Sequence, residues 1–162
     1  MTKEKKLDKR ILELQDKDFS IKEIVKIVKT AMEDADLTFV EKEQAVKENQ
    51  YGKQVTFEFE GDDDLDEFAT INFFIKITFK NISEIKKNNK TFDHGGVQII
   101  MIPKVIYDYK NNWATSKFSE FLFEVYLNYF KKDNFEKKYL KPTQEKVDAI
   151  YSSVKKLLDL YQ

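Results

Sequence analysis

The stretch ATINFFIKITFK, residues 69–80, places Ile71, Phe73, Ile75, Ile77 and Phe79 at every second position, with Thr70, Asn72, Lys76, Thr78 and Lys80 between them. A two-residue period sends successive side chains to opposite faces of a pleated strand, so this segment has one apolar and one largely polar face. Such a strand belongs in a sheet covered on one side and wet on the other, which is the habit of antiparallel sheets. QVTFEFE just upstream repeats the period with Val55, Phe57 and Phe59. Two neighbouring strands of this kind form a hairpin.

The hairpin is joined by GDDDLDEF, which carries Asp62, Asp63, Asp64, Asp66 and Glu67. A calcium loop alternates its ligands around a glycine in mid-loop, whereas these acids are nearly contiguous and Gly61 comes first. Paired catalytic carboxylates face each other across a cleft, and consecutive residues at a tip point in several directions. The acidic loop therefore reads as a solvated tip, where like charges repel least, and not as a metal or catalytic site.

Further strands are expected from about Leu37 to Lys47, turning near residues 49–52, and over VQIIMIPKVIYDY from Val97. Pro103 has no N–H for a ladder, which places the latter strand at an edge or at a bulge. Residues 81–96, NISEIKKNNKTFDHGG, read as a long polar connection between the third and fourth strands. The sheet expected from sequence is thus a four-stranded meander.

Helical spacing flanks it. Leu7, Ile11 and Leu14 share one helical face, making residues 1–18 a loosely docked N-terminal helix. A second helix begins at Ser20, with Glu23 three residues on, and carries Ile21, Ile24, Val25, Val28 and Met32 until the acidic residues at 34–36. Thr115 or Ser116 can cap a third, which bears Phe118, Phe121, Leu122, Val125, Tyr126 and Tyr129, with Phe123, Leu127 and Phe130 adding apolar surface elsewhere. The last starts near Pro142 and runs through Val147, Ile150, Val154, Leu157 and Tyr161. Its two heptads favour packing within the domain over a coiled-coil seam. The reading is one α+β domain over residues 1–162, with the helices mainly on one face of an antiparallel sheet.

Chemistry-bearing motifs are sparse. The chain has no cysteine and one histidine, so thiolate chemistry is excluded and a zinc site would have to be mainly carboxylate. Asp93 and His94 lie in FDHGGV, where adjacent residues seldom orient one another as an acid/base pair must. They read as polar residues of a glycine turn. The four glycines form neither a dinucleotide fingerprint nor a P-loop, and no serine sits in GxSxG. No catalytic residue, metal or cofactor is expected.

Net charge is −1, and the basic residues are lysines except for Arg10, which weighs against reading of nucleic acid by guanidinium forks. Lysines do interleave with aromatics around Tyr129 to Lys141, including Lys131, Lys132, Lys137 and Lys138, as on single-strand-binding surfaces. Lysines at helix ends and over apolar surface produce the same pattern, and that account is preferred. The charged start and the absence of a long apolar run point to a cytoplasmic protein without a membrane span.

What remains is surplus apolar surface on Phe118, Phe123, Leu127 and Phe130, next to Lys131 and Lys132. It suggests a non-catalytic binding or protein-interaction module, self-associating through this helix or through the strand that carries Pro103. The first alternative is a carrier or sensor of a small hydrophobic molecule, held between an aromatic-rich sheet and a helix, and the second is single-stranded nucleic-acid binding through the lysine and aromatic clusters.

Overall fold

The computed structural model describes residues 3–66, 68–107, 121, 125 and 136–162. Two short strands open the chain, β1 (Lys3–Lys6) and β2 (Arg10–Phe19), followed by helix α1 (Ile21–Asp34). Four long strands come next, β3 (Thr38–Asn49), β4 (Gly52–Asp64), β5 (Ala69–Lys87) and β6 (Lys90–Tyr107). A five-residue π-helical turn (Glu136–Leu140) leads into helix α2 (Lys141–Leu160). All strand pairings are antiparallel in one six-stranded sheet ordered β1-β6-β5-β4-β3, with β2 also on β6.

The α+β class and antiparallel sheet agree with the sequence, but the sheet has six strands rather than four. The two added strands are the segment expected to be an N-terminal helix. Residues 7–14 satisfy both periods, because Leu12 and Leu14 alternate with Ile11 and Glu13 as well as lying near a helical stripe. The strand prevails because β6 offers an open ladder and an apolar face: Leu12 sits opposite Ile99 and Leu14 opposite Val97.

That added pairing also corrects the place of Pro103. β6 is an interior strand, with β5 on one side and β1 and β2 on the other. Leu7 donates its N–H to the Pro103 carbonyl (3.1 Å), in the gap between β1 and β2. A strand residue points its nitrogen and its carbonyl to the same side, so the missing Pro103 donor faces the interruption and little of the ladder is lost. The long polar connection is likewise absent. β5 and β6 continue to a two-residue turn, in which Asn88 (φ 49°) and Asn89 (φ 64°) both adopt the left-handed conformation that hairpin turns favour. DHGG lies within β6, not in a turn.

The core follows the alternation. Ile71, Phe73, Ile75, Ile77 and Phe79 pair across the ladder with Val105, Pro103, Met101, Ile99 and Val97. Over this face lie Ile24, Val28 and Met32 of α1 and Val147, Ile150, Val154 and Leu158 of α2, all buried. Each large side chain so enclosed contributes about 1.5–3 kcal/mol relative to exposure. The final helix buries its stripe within its own domain, as its short heptad run suggested. Of the expected aromatic helix, Phe121 and Val125 are described and are helical, with Phe121 60% exposed. Phe118, Phe123, Leu127, Phe130, Lys131 and Lys132 lie outside the described residues.

α1 is fixed at both ends. Ser20 caps it by accepting from the Glu23 N–H (3.3 Å), and Asp93 on β6 accepts from the Ile21 N–H (3.0 Å). At the far end Leu37 donates to Met32 O and Asp36 to Glu33 O, with Asp36 at φ 61°, a Schellman closure built without glycine. Lys146 of α2 adds its ammonium to the Ala35 carbonyl and to Asp63 on β4 (3.1 Å), joining the cationic partner that a helix C-terminus favours to a sheet carboxylate.

Strands of 19 and 18 residues exceed the reach of helices of 14 and 20 residues, so the sheet must bend. Register shifts mark the bend, with an extra residue in β2 between Leu14 and Lys17 and another in β5, which shifts its pairing with β6 between Lys80 and Ser83 and with β4 between Phe79 and Ile82. Each extra residue reverses the alternation, which is why Leu14 and Phe19 are both buried, as are Phe79 and Ile82. Gly95, at φ +155°, lies between the bulges of β2 and β5, and a Cβ there would come within 2.6 Å of the Lys80 carbonyl and 2.9 Å of that of Asn81. Gly95→Ala should therefore cost about 3 kcal/mol, from left-handed strain plus overlap. Gly96→Ala, whose nearest contact would be 3.2 Å, should cost clearly less in the same thermal or urea unfolding experiment.

Candidate binding groove along the first helix

The spacing of α1 sets two kinds of side chain beside each other. Val25 lies at the margin of its buried stripe and Ile21 borders it, while Lys22, Lys26 and Lys29 follow at intervals of four and three along the adjoining flank. Beside this flank runs an open groove of about 700 Å³, lined also by Phe57 of β4, by Thr30 and Glu33, and by Asp93. Its apolar floor is made by Ile21, Val25 and Phe57. Lys22 and Lys26 are exposed and form no ion pair among the described residues. Lys29 lies 5.5 Å from the centre of the Phe59 ring and 3.9 Å from Glu41 on β3. Of the two acids, Asp93 is engaged by the helix N-terminus. The groove thus offers apolar contact edged by positive charge. Sequence reasoning placed these residues on a helix but assigned them no role, because the groove needs Phe57 from another element to form its far wall.

The residues singled out from sequence are dispersed. The hairpin is present, but β4 runs to Asp64 and β5 begins at Ala69, so most of the acidic run belongs to a strand. Asp62 accepts from the Asn72 side chain (2.8 Å), Asp63 pairs with Lys146, and Asp66 accepts from the backbone of Phe68 (2.8 Å) and Ala69 (2.9 Å) and from the Tyr139 hydroxyl (2.7 Å). Burial pushes the Asp66 carboxyl up, but those hydrogen bonds and Lys138 outweigh it and hold the group below its usual range. Glu67 lies outside the described residues. The run is a set of structural braces pointing in different directions, and among the described residues no three acidic or histidine side chains converge as metal ligands would.

Asp93 and His94 do not face each other. His94 Nδ1 lies 2.7 Å from Asp18 on β2, and Lys87 reaches the same carboxylate at 2.5 Å. The Lys87 bond, then the His94 bond, hold Asp18 below the ordinary carboxylate range. Ser83 sits opposite His94 across the β5–β6 ladder, and no hydrogen bond joins their side chains. Lys138, from the second basic cluster, is taken up by Asp66 (3.4 Å) and the Tyr139 ring.

The helix-free face also differs from expectation. Of Asn72, Lys76 and Thr78, the polar residues expected to meet solvent or a partner, Lys76 keeps 43% of its side chain exposed, while Asn72 and Thr78 are only 6% and 8% exposed. Asn72 bridges Glu60 (2.9 Å) and Asp62, and this hydrogen bond is the main reason the Glu60 carboxyl sits below its usual range.

Comparison with known proteins gives no match, either to a protein-family model or to a curated protein. No described helix is long and apolar enough to cross a membrane.

Behind the groove, the Tyr161 hydroxyl near the end of α2 donates to Glu23 in the first turn of α1 (2.6 Å), and the Tyr161 ring meets Phe19 edge-on. Burial, reinforced by the neighbouring carboxylate, pushes the Tyr161 hydroxyl up to about 12, and burial alone does the same to Tyr107. A group whose pKa is raised by folding adds stability below its unfolded pKa near 10 and loses that contribution as pH climbs toward 12. Absorbance titration should keep part of its phenolate signal back until pH approaches 12, with Tyr161→Phe and Tyr107→Phe each removing a share of that late step, and circular dichroism should be lost alongside it. A late step unchanged in Tyr161→Phe, with the fold intact, would contradict the packing of α2 against α1.

Proposed function

We propose that this protein is a non-catalytic binding module that holds an acidic, amphipathic segment of a partner protein in the groove along α1. The observation that carries this reading is the groove itself, with Ile21, Val25 and Phe57 as its floor and Lys22, Lys26 and Lys29 along its edge. Small-molecule sites enclose most of their ligand, whereas a groove open along its length covers one side of an extended or helical segment. Lysines beside an apolar strip attract a segment whose own apolar residues are bordered by Asp or Glu, which adds specificity and speeds encounter.

The test uses a synthetic helical peptide with leucines along one side and glutamates on its border, titrated into ¹⁵N-labelled protein. Binding should shift the amides of α1 and of β4 near Phe57, and Lys22→Glu with Lys26→Glu should weaken it at least tenfold at low salt and much less at high salt. Shifts confined to other elements, or an affinity indifferent to the charge reversal, would refute the groove as the binding surface.

A further inference from the structure

β3 is the outer strand of the sheet, paired with β4 on one side and, among the described residues, with nothing on the other. It is an unusual edge to leave open, since Val40 is 56% and Val46 58% exposed along its 12 residues. Natural edges are commonly guarded by charge, and β3 carries charges in number, but most are already used within the chain. Glu41 pairs with Lys29 (3.9 Å), Lys42 with Glu60 (3.3 Å) and Glu48 with Lys53 (3.8 Å). Glu43 and Lys47 are exposed and have no ion-pair partner among the described residues. They stand two positions either side of Ala45, and their ladder partners Glu58, Thr56 and Gln54 put Glu43, Ala45 and Lys47 on one face, the helix-free one.

We infer that β3 is a self-association edge: two copies of the chain pair β3 with β3, antiparallel, about a two-fold axis through Ala45. In that register Glu43 lies opposite the partner's Lys47, and by symmetry the contact occurs twice. Gln44 lies opposite the partner's Val46, and the small Ala45 meets its own copy on the axis. Directly opposite residues have Cβ atoms about 4.5–5.5 Å apart, within reach of an ion pair. A slip of one residue is excluded because residues opposite one another must share a face of the sheet, and a slip of two sets Glu43 or Lys47 against the partner's Ala45 and so breaks both ion pairs. The two-fold arrangement is isologous and closed, using up the free edge and covering Val46. The bulge between Glu41 and Glu43 ends the ladder there, which keeps the contact short and the dimer weak. This surface is separate from the α1 groove, and either assignment stands or falls without the other.

Sedimentation velocity of the full chain over about 1–500 µM, a range suited to a short interface, tests it. The wild-type protein should pass from monomer to dimer as concentration rises. Glu43→Lys or Lys47→Glu alone should raise the dissociation constant about tenfold or more, by turning two attractive pairs into two repulsive ones. The double exchange should return it to near the wild-type value. An equimolar mixture of the two single variants should associate more tightly than either alone, because each then presents the charge that the other lacks. Both side chains are exposed, so circular dichroism of the variants should match wild type. A monomer throughout the range, a dimer unmoved by the single variants, or failure of the double exchange to restore association would overturn the inference.

Discussion

β2 and β3 are consecutive strands on opposite margins of one sheet, and the segment between them has to cross a face of that sheet. α1 makes the crossing in 14 residues, about 21 Å, and in doing so covers the apolar side of β5 and β6. Much of the rest depends on this passage. Its entry is held by Ser20 and Asp93, and its exit by the Schellman closure and Lys146. A single helix cannot cover a face five strands wide, since neighbouring strands lie about 4.8 Å apart and a helix is about 10 Å across. α2 fills in on one flank. The other flank, toward Phe57, is the groove, and the margin beyond it is the open strand β3.

The second dependence is the pair of bulges in β2 and β5, with Gly95 between them. Long strands that stayed straight would run past the helices and leave Ile82 and Phe19 with nothing to pack on. The extra residue in each strand bends the ladder and reverses its alternation, so that Ile82 and Phe19 turn back to the core side, where Phe19 stacks on Phe79 at 5.8 Å.

The sequence revealed these features unevenly. The period of residues 69–80, the cap at Ser20, the end of α1 at residues 34–36 and the start of α2 near Pro142 were legible because each is a local signal satisfied by its own neighbours. β1 and β2 were not, since Leu7, Ile11 and Leu14 fit a helix until the free ladder of β6 is known. The Asn88–Asn89 turn was hidden inside a run of lysines and asparagines that reads as a loop by composition. The acidic run illustrates the same limit: contiguous carboxylates suggest repulsion at a tip, whereas Asn72, Lys146 and Tyr139, distant in sequence, supply a separate partner for each of three of them. The groove was beyond sequence reasoning because its walls come from α1, β4 and β6.

The buried face of β5 and β6 anchors the fold, while the two proposed binding surfaces lie on α1 and β3. Native-state amide hydrogen exchange at low protein concentration tests this most directly. The amides of residues 71–79 and 97–101 should exchange only through global unfolding, while those on the outer side of β3 exchange by small local openings. Uniform protection across β3 and β5 in the monomer, or faster exchange at residues 71–79 than in β3, would contradict the account.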